Sequence, residues 1–145
     1  MRLILLYIAL ALAFFRSSGQ DVAGKQDYIL AMKISFITKK LNLTPQEAQV
    51  FWPLYNQYQD ELETLRKNHK KEQDALKDAF ATMSNADIEK YVDAEIIFRE
   101  REIEILKKYH PQFKKVLPVR KVALLYKAEE EFKRHLIKQI KSGNL

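Results

Sequence analysis

Between residues 25 and 142 the chain contains no glycine, since its glycines are Gly19, Gly24 and Gly143. Phosphate-binding loops, tight hairpin turns and nucleophile elbows depend on glycine for positive φ or for close approach of the backbone. Alanine, leucine, lysine, glutamate and glutamine fill the interval instead, and these residues lose the least free energy in a helix. The sequence therefore predicts an all-α protein.

The chain also contains no cysteine, which excludes disulfides, thiolate metal sites and cysteine nucleophiles. Its length of 145 residues fits one domain. The net charge is +6, and Arg2 and Arg16 lie in the first 19 residues. The modest positive surplus in the remainder favours acidic partners but does not indicate nucleic acid.

The first 19 residues have the pattern of a secretory signal peptide. Arg2 supplies the positive start, residues 3–15 form an apolar run, and residues 17–19 are small, as a signal peptidase site requires. The run is shorter than the ~20 residues of a comfortable transmembrane helix, although an uncleaved membrane anchor is the alternative. We expect cleavage after Gly19 and export of the chain, a disordered segment over residues 20–26, and one helical domain over residues 27–141.

Apolar periodicity predicts four helices in that domain. They are expected from Asp27 to Leu41, from Pro45 to about Met83, from Asn85 to about Val116, and from Pro118 to about Lys141. Thr44 is an N-cap candidate whose capping box is completed by Glu47, and Ser84 is the N-cap candidate of the third helix. Pro53 lies inside the second helix, where it removes a backbone donor and predicts a kink.

The two long helices each carry a seam with alternating spacings of four and three residues. The seam of the second helix is Phe51, Tyr55, Tyr58, Leu62, Leu65, His69, Glu72, Leu76, Ala79 and Met83. The seam of the third is Ile88, Val92, Ile96, Arg99, Ile103, Leu106, His110, Phe113 and Leu117. Folded back at Ser84, the seams face each other throughout, which predicts an antiparallel hairpin roughly 50 Å long.

The middle of this predicted hairpin is polar. His69 is expected to face Arg99, with Glu72 one turn away. One interpretation is a layer that responds to protons or to a metal ion, because histidine titrates near neutral pH. The other is a solvated or salt-bridged layer in a thin region of two helices. One histidine and one glutamate are too few ligands for a structural zinc site.

A basic stretch runs from residue 105 to residue 128, where there is no acidic residue. Its positive residues are Lys107, Lys108, Lys114, Lys115, Arg120, Lys121 and Lys127. Such a surface attracts acidic or unfolded partners or anionic lipid headgroups, or else is an ordinary solvated face. Trp52 lies off the seam of the second helix, so it is a second candidate for contact with a partner or client.

Catalysis finds no support in the sequence. The serines after residue 19 are Ser35, Ser84 and Ser142, and none has a helical or loop relation to a histidine that suggests a nucleophile. The carboxylates are scattered over solvated faces instead of being paired in an apolar cleft. We therefore expect a protein that is not an enzyme and that has no cofactor and no metal site.

Two short motifs resemble those of the periplasmic Spy/CpxP-type family of LTxxQ-motif proteins, and in particular its Bacteroidetes-type branch labelled a sensor of an ECF-type sigma factor. The residues that carry the resemblance are Leu43, Thr44, Pro45, Glu47, Phe51, Trp52, Pro53, Tyr55, Tyr58, Leu117 and Pro118. The chain departs from the family pattern at Glu47, where the motif has glutamine, and in the second motif, which lacks its threonine.

This resemblance implies a four-helix, elongated domain built on a long antiparallel hairpin, located in the periplasm and commonly paired as a homodimer. It implies a protein of envelope stress that binds unfolded envelope proteins as a chaperone without ATP. The alternative is a regulatory partner of a membrane-bound signalling system, such as an anti-sigma factor or a sensor kinase, and a third possibility is a metal sensor. Either role is compatible with a weak contact with an anionic membrane surface, and neither involves nucleic acid.

Overall fold

The computed structural model describes residues 17–143 of the chain. Its α-helices are α1 (Ser17–Leu41), α2 (Pro45–Leu76), α3 (Asn85–Val116) and α4 (Val119–Lys141), and a 3₁₀ turn covers Phe80–Thr82. No strand occurs within residues 17–143, and the predicted all-α class is confirmed. None of the helices in this range is both long and apolar enough to cross a membrane. The predicted signal segment lies, up to residue 16, outside the described residues.

The described part of the chain forms two compact units. Of the described residues, the first unit comprises 17–42 and 123–143, and the second comprises Leu43–Val122. In the first unit, Phe36 of α1 lies against Phe132 of α4, with ring centroids 5.6 Å apart. Lys40 and Glu131 form an ion pair of 2.7 Å in the same unit, and this pair lowers the pKa of Glu131.

Both predicted helix caps are confirmed. The Oγ1 of Thr44 accepts a hydrogen bond from the backbone N–H of Glu47 at 3.2 Å, and the Glu47 carboxylate accepts one from the backbone N–H of Thr44 at 2.9 Å. This reciprocal pair is a complete capping box, and Pro45 follows it at the first helical position. At the start of α3, the Oγ of Ser84 accepts from the backbone N–H of Asp87 at 3.2 Å.

Two helix boundaries differ from the prediction. Helix α1 begins at Ser17, ten residues before Asp27, and therefore includes residues 20–26, which were expected to be disordered. Helix α2 ends at Leu76 instead of continuing to Met83. The chain tightens there into i to i+3 hydrogen bonds, and the Thr82 hydroxyl donates to the carbonyl of Ala79 at 3.0 Å, which competes with an α-helical turn.

Helices α2 and α3 pack against each other in the second unit. Their contact partners follow opposite chain order, from Tyr58 with Tyr109, through Arg66 with Glu102, to Gln73 with Glu95. This order makes the two helices antiparallel neighbours. At the end away from the turn, aromatic rings fill the space between them, and the buried members are Phe51, Tyr55, Tyr58, Tyr109 and Phe113.

The predicted seam of α3 is wrong in its middle part. Val92, Ile96 and Ile103 are 53%, 59% and 50% exposed and do not lie in the core. The contacts with α2 are made instead by a row shifted by one residue, which includes Phe98 and Tyr109. This row also carries Glu95 and Glu102, whose carboxylates pair with His69 and Arg66 of α2. Polar pairs and aromatic contacts therefore hold the middle of the interface, and the aliphatic row is left outside.

Candidate functional site

The aromatic residues of the family-like motif are mainly core residues. Phe51 and Tyr55 are buried, as predicted, and both contact Phe113, with centroid distances of 6.1 Å and 6.4 Å. Trp52 is half-buried and packs edge-on against Phe51 at 5.0 Å and Tyr55 at 5.5 Å. Its ring therefore supports the core of the second unit, and its predicted contact with a partner stays a prediction. Leu117 is buried at the end of α3, and Pro118 precedes the first residue of α4.

Part of the basic stretch is neutralised within the second unit. Lys108 donates to Glu61 at 2.6 Å, and the hydroxyl of Tyr109 donates to the same carboxylate oxygen at 2.7 Å. These two donors lower the pKa of Glu61, and the carboxylate raises the pKa of Lys108. Lys121 pairs with Glu47 at 2.6 Å, which lowers the pKa of Glu47 and ties the start of α2 to the start of α4.

The other cations of this stretch in the second unit are exposed. They are Lys107, Lys114, Lys115 and Arg120, and their side chains form no ion pair or hydrogen bond with any other residue that the structure describes. Between residues 105 and 122 the second unit thus has six basic residues and no acidic one. These four cations are available to an acidic partner.

The polar layer in the middle of the α2–α3 pair is formed by residues other than those predicted. The His69 ring stacks on Phe98, with centroids 3.8 Å apart and planes at 7°, and its Nε2 lies 2.9 Å from Oε1 of Glu95. The amide of Gln73 contacts both of these groups, lying 3.0 Å from His69 Nε2 and donating to Glu95. Arg99 is thus not the partner of His69, and the expectation of that pair was wrong.

Glu72, expected in the same layer, is exposed, and its side chain forms no hydrogen bond or ion pair with another described residue. The shift of the α3 row by one position explains both changes, because it brings Glu95 and Phe98 to the face that Arg99 was expected to occupy. Within residues 17–143 no group of three or more His, Cys, Asp or Glu side chains is arranged to hold a metal ion.

A cavity of about 410 Å³ lies next to this layer, where α2 and α3 approach the turn. It is lined by His69, Glu72, Gln73, Leu76, Met83, Asp87, Lys90, Tyr91, Ala94 and Glu95. The turn region around it is acidic, since residues 72–95 include seven acidic and two basic residues. The cavity therefore has apolar walls in negatively charged surroundings.

The predicted seam of α2 includes His69, Glu72, Leu76 and Met83, but spacing does not indicate the cavity or the residues of α3 that line it. A signal was present, because aspartates and glutamates crowd around the apolar residues Leu76, Met83 and Tyr91 over residues 72–95. The predicted seam places Tyr91 and Glu95 on the outer row of α3, so spacing alone does not bring them to these apolar residues.

Comparison of the chain with protein-family models, with curated proteins and with solved structures gives no match.

Proposed function

We propose that the protein is a non-enzymatic binder of unfolded polypeptides that acts in the periplasm without ATP, with the long α2–α3 hairpin as its binding element. The observation that carries this proposal is the exposed row of α3. Val92, Ile96 and Ile103 stand at spacings of four and seven residues, so they share one helix face. Each leaves about half or more of its surface in solvent.

An exposed aliphatic row flanked by charges suits unfolded chains. Apolar contact with segments that are buried in folded proteins supplies affinity, at about 25 cal/mol per Å² of apolar surface removed from water. The unpaired cations of the basic stretch supply long-range attraction to clients with acidic segments. Neither contact requires a fixed partner sequence, and neither requires nucleotide.

The likeness of the Leu43–Tyr58 region to the Spy/CpxP-type family supports the same assignment, including export through a signal peptide cleaved after Gly19 and a role in envelope stress. N-terminal sequencing of the protein recovered from the periplasm is expected to begin at Gln20. An intact N-terminus in a membrane fraction would favour the anchored alternative.

The decisive test is suppression of aggregation. A reduced, unfolded client is mixed with the purified protein at equimolar ratio without ATP, and light scattering is followed at low salt. We expect suppression by the native chain and at least a threefold loss in the Ile96→Ser, Ile103→Ser double variant. Val119 is 73% exposed and lies outside the α3 row, so Val119→Ser is the matched control that should retain suppression.

No suppression at tenfold excess in low salt would refute the proposal. Recovery of one saturable membrane partner, without general client binding, would instead favour a regulatory role toward an anti-sigma factor or a sensor kinase. The exposed row of α3 would then be the surface to test against that partner.

A further inference from the structure

We infer that the cavity beside the α2–α3 turn binds a small organic cation, an ammonium group attached to an apolar or aromatic body. This site is separate from the exposed row of α3, and it does not depend on the function proposed above. All residues that line it belong to the second unit.

The size and walls of the cavity suit a small ligand. Its volume of about 410 Å³ lies in the range of ~300–1,000 Å³ that is typical of ligand pockets. Leu76, Met83 and Ala94 provide apolar surface, and Tyr91 provides a ring whose position is supported by Phe80 at a centroid distance of 5.8 Å. An aromatic ring in such a wall attracts the face or edge of an aromatic ligand and also a cation.

The charge of the lining selects a cation. The lining contains three carboxylates, those of Glu72, Asp87 and Glu95, and one ammonium group, that of Lys90. Asp87 is already engaged with Ser84 at 2.7 Å and lies 3.7 Å from Lys90. The charge of the ligand is therefore determined by the remaining two carboxylates, those of Glu72 and Glu95.

Glu95 is held in position before any ligand arrives. Its contacts with His69 and Gln73 are both made through Oε1, so Oε2 has no partner among the described residues. The His69 ring is itself fixed by its stacking on Phe98. A carboxylate oxygen that is oriented by its neighbours and still free to accept is well suited to an ammonium donor, because little conformational entropy is lost on binding.

The orientation of the ligand follows from these positions. Its ammonium group donates to Oε2 of Glu95 and is attracted by Glu72, while its apolar body lies against Leu76, Met83 and Tyr91. An alcohol of the same shape can still donate a hydrogen bond to the carboxylate but lacks the positive charge of the ammonium group, and a carboxylate of the same shape meets two negative charges.

The test uses three probes of similar shape, namely 2-phenylethylammonium, 2-phenylethanol and 3-phenylpropanoate, titrated into the purified protein at low salt. Binding is followed by NMR through the methyl group of Met83 and the ring of Tyr91. We expect the ammonium probe to bind at least tenfold more tightly than the alcohol, and the carboxylate not to bind. Glu95→Gln should reduce the affinity for the ammonium probe to nearly that for the alcohol.

Two further variants keep the result interpretable. The side chain of Glu72 has no described partner, so Glu72→Gln removes its charge without loss of a contact. This variant should weaken binding of the ammonium probe about threefold, and it remains informative if Glu95→Gln unfolds the turn. Glu89 does not line the cavity, so Glu89→Gln should leave the affinity unchanged. Equal binding of the ammonium probe and the alcohol, insensitivity to both cavity variants, or shifts confined to residues outside the cavity would overturn the inference.

Discussion

The distinction between a packed row and an exposed row on α3 predicts how much the free energy of unfolding falls when a residue in each row is replaced. Phe113 is fully buried and lies within 6.4 Å of four other rings, those of Phe51, Tyr55, Tyr58 and Tyr109. Phe113→Ala removes the ring that joins α2 to α3 and leaves a cavity that rigid neighbours fill poorly. Buried Phe→Ala substitutions cost about 3–5 kcal/mol, and the number of ring contacts places this one near ~4 kcal/mol.

The exposed row provides the matched control. Ile96 is 59% exposed, so Ile96→Ala should change the free energy of unfolding by no more than about 0.5 kcal/mol. Both variants are measured by urea unfolding followed by circular dichroism at 222 nm, at two protein concentrations tenfold apart, so that self-association is separated from folding. For a chain of this size, the loss in Phe113→Ala corresponds to a drop in Tm of about 15 °C. If Ile96→Ala costs as much as Phe113→Ala at the lower concentration, the packed row of α3 has been identified wrongly.

Two further predictions concern hydrogen bonds at the helix starts and in the basic stretch. Thr44→Ala removes half of the capping box and should lower the free energy of unfolding by about 1 kcal/mol in the same urea assay, with rescue by Thr44→Ser and a contradiction if alanine is neutral. Because Lys108 and Tyr109 lower the pKa of Glu61, its contribution to stability is present above the ordinary value of 4.5 and is lost as the pH falls through the lowered pKa. Tyr109→Phe keeps the ring but removes one donor, so an NMR titration of the Glu61 carboxyl carbon should show its pKa moving up toward 4.5, and an unchanged titration would refute this account.

Much of the helical framework was predictable because its signals are local. Each helix cap involves two residues within a stretch of four, namely Thr44 with Glu47 and Ser84 with Asp87. Both helices begin where these capping residues predict. The ends of α3 and α4 at Val116 and Lys141 also agree with the periodicity.

The face that α3 presents to α2 was not predictable from spacing alone. Two rows on this helix, one through Val92 and Ile96 and one through Tyr91 and Phe98, satisfy the same alternation of four and three residues. The choice between them depends on side-chain volume and on polar partners in the other helix. Glu95 looks like a solvent residue in sequence, and only the fold brings His69 and Gln73 to its side chain.

The order of charges along the second unit makes it an electric dipole. The turn region carries an excess of negative charge. At the other end, Lys108 and Lys121 are paired, but the side chains of Lys107, Lys114, Lys115 and Arg120 have no carboxylate partner among the described residues. A charged surface therefore exerts a torque on this unit as well as a net force, and the torque acts over about one Debye length, ~8 Å at physiological salt. A polyanion is met first by the C-terminal end of α3, and the turn with its cavity then points away from it. The linear arrangement of charges on two helices thus determines orientation before contact is made.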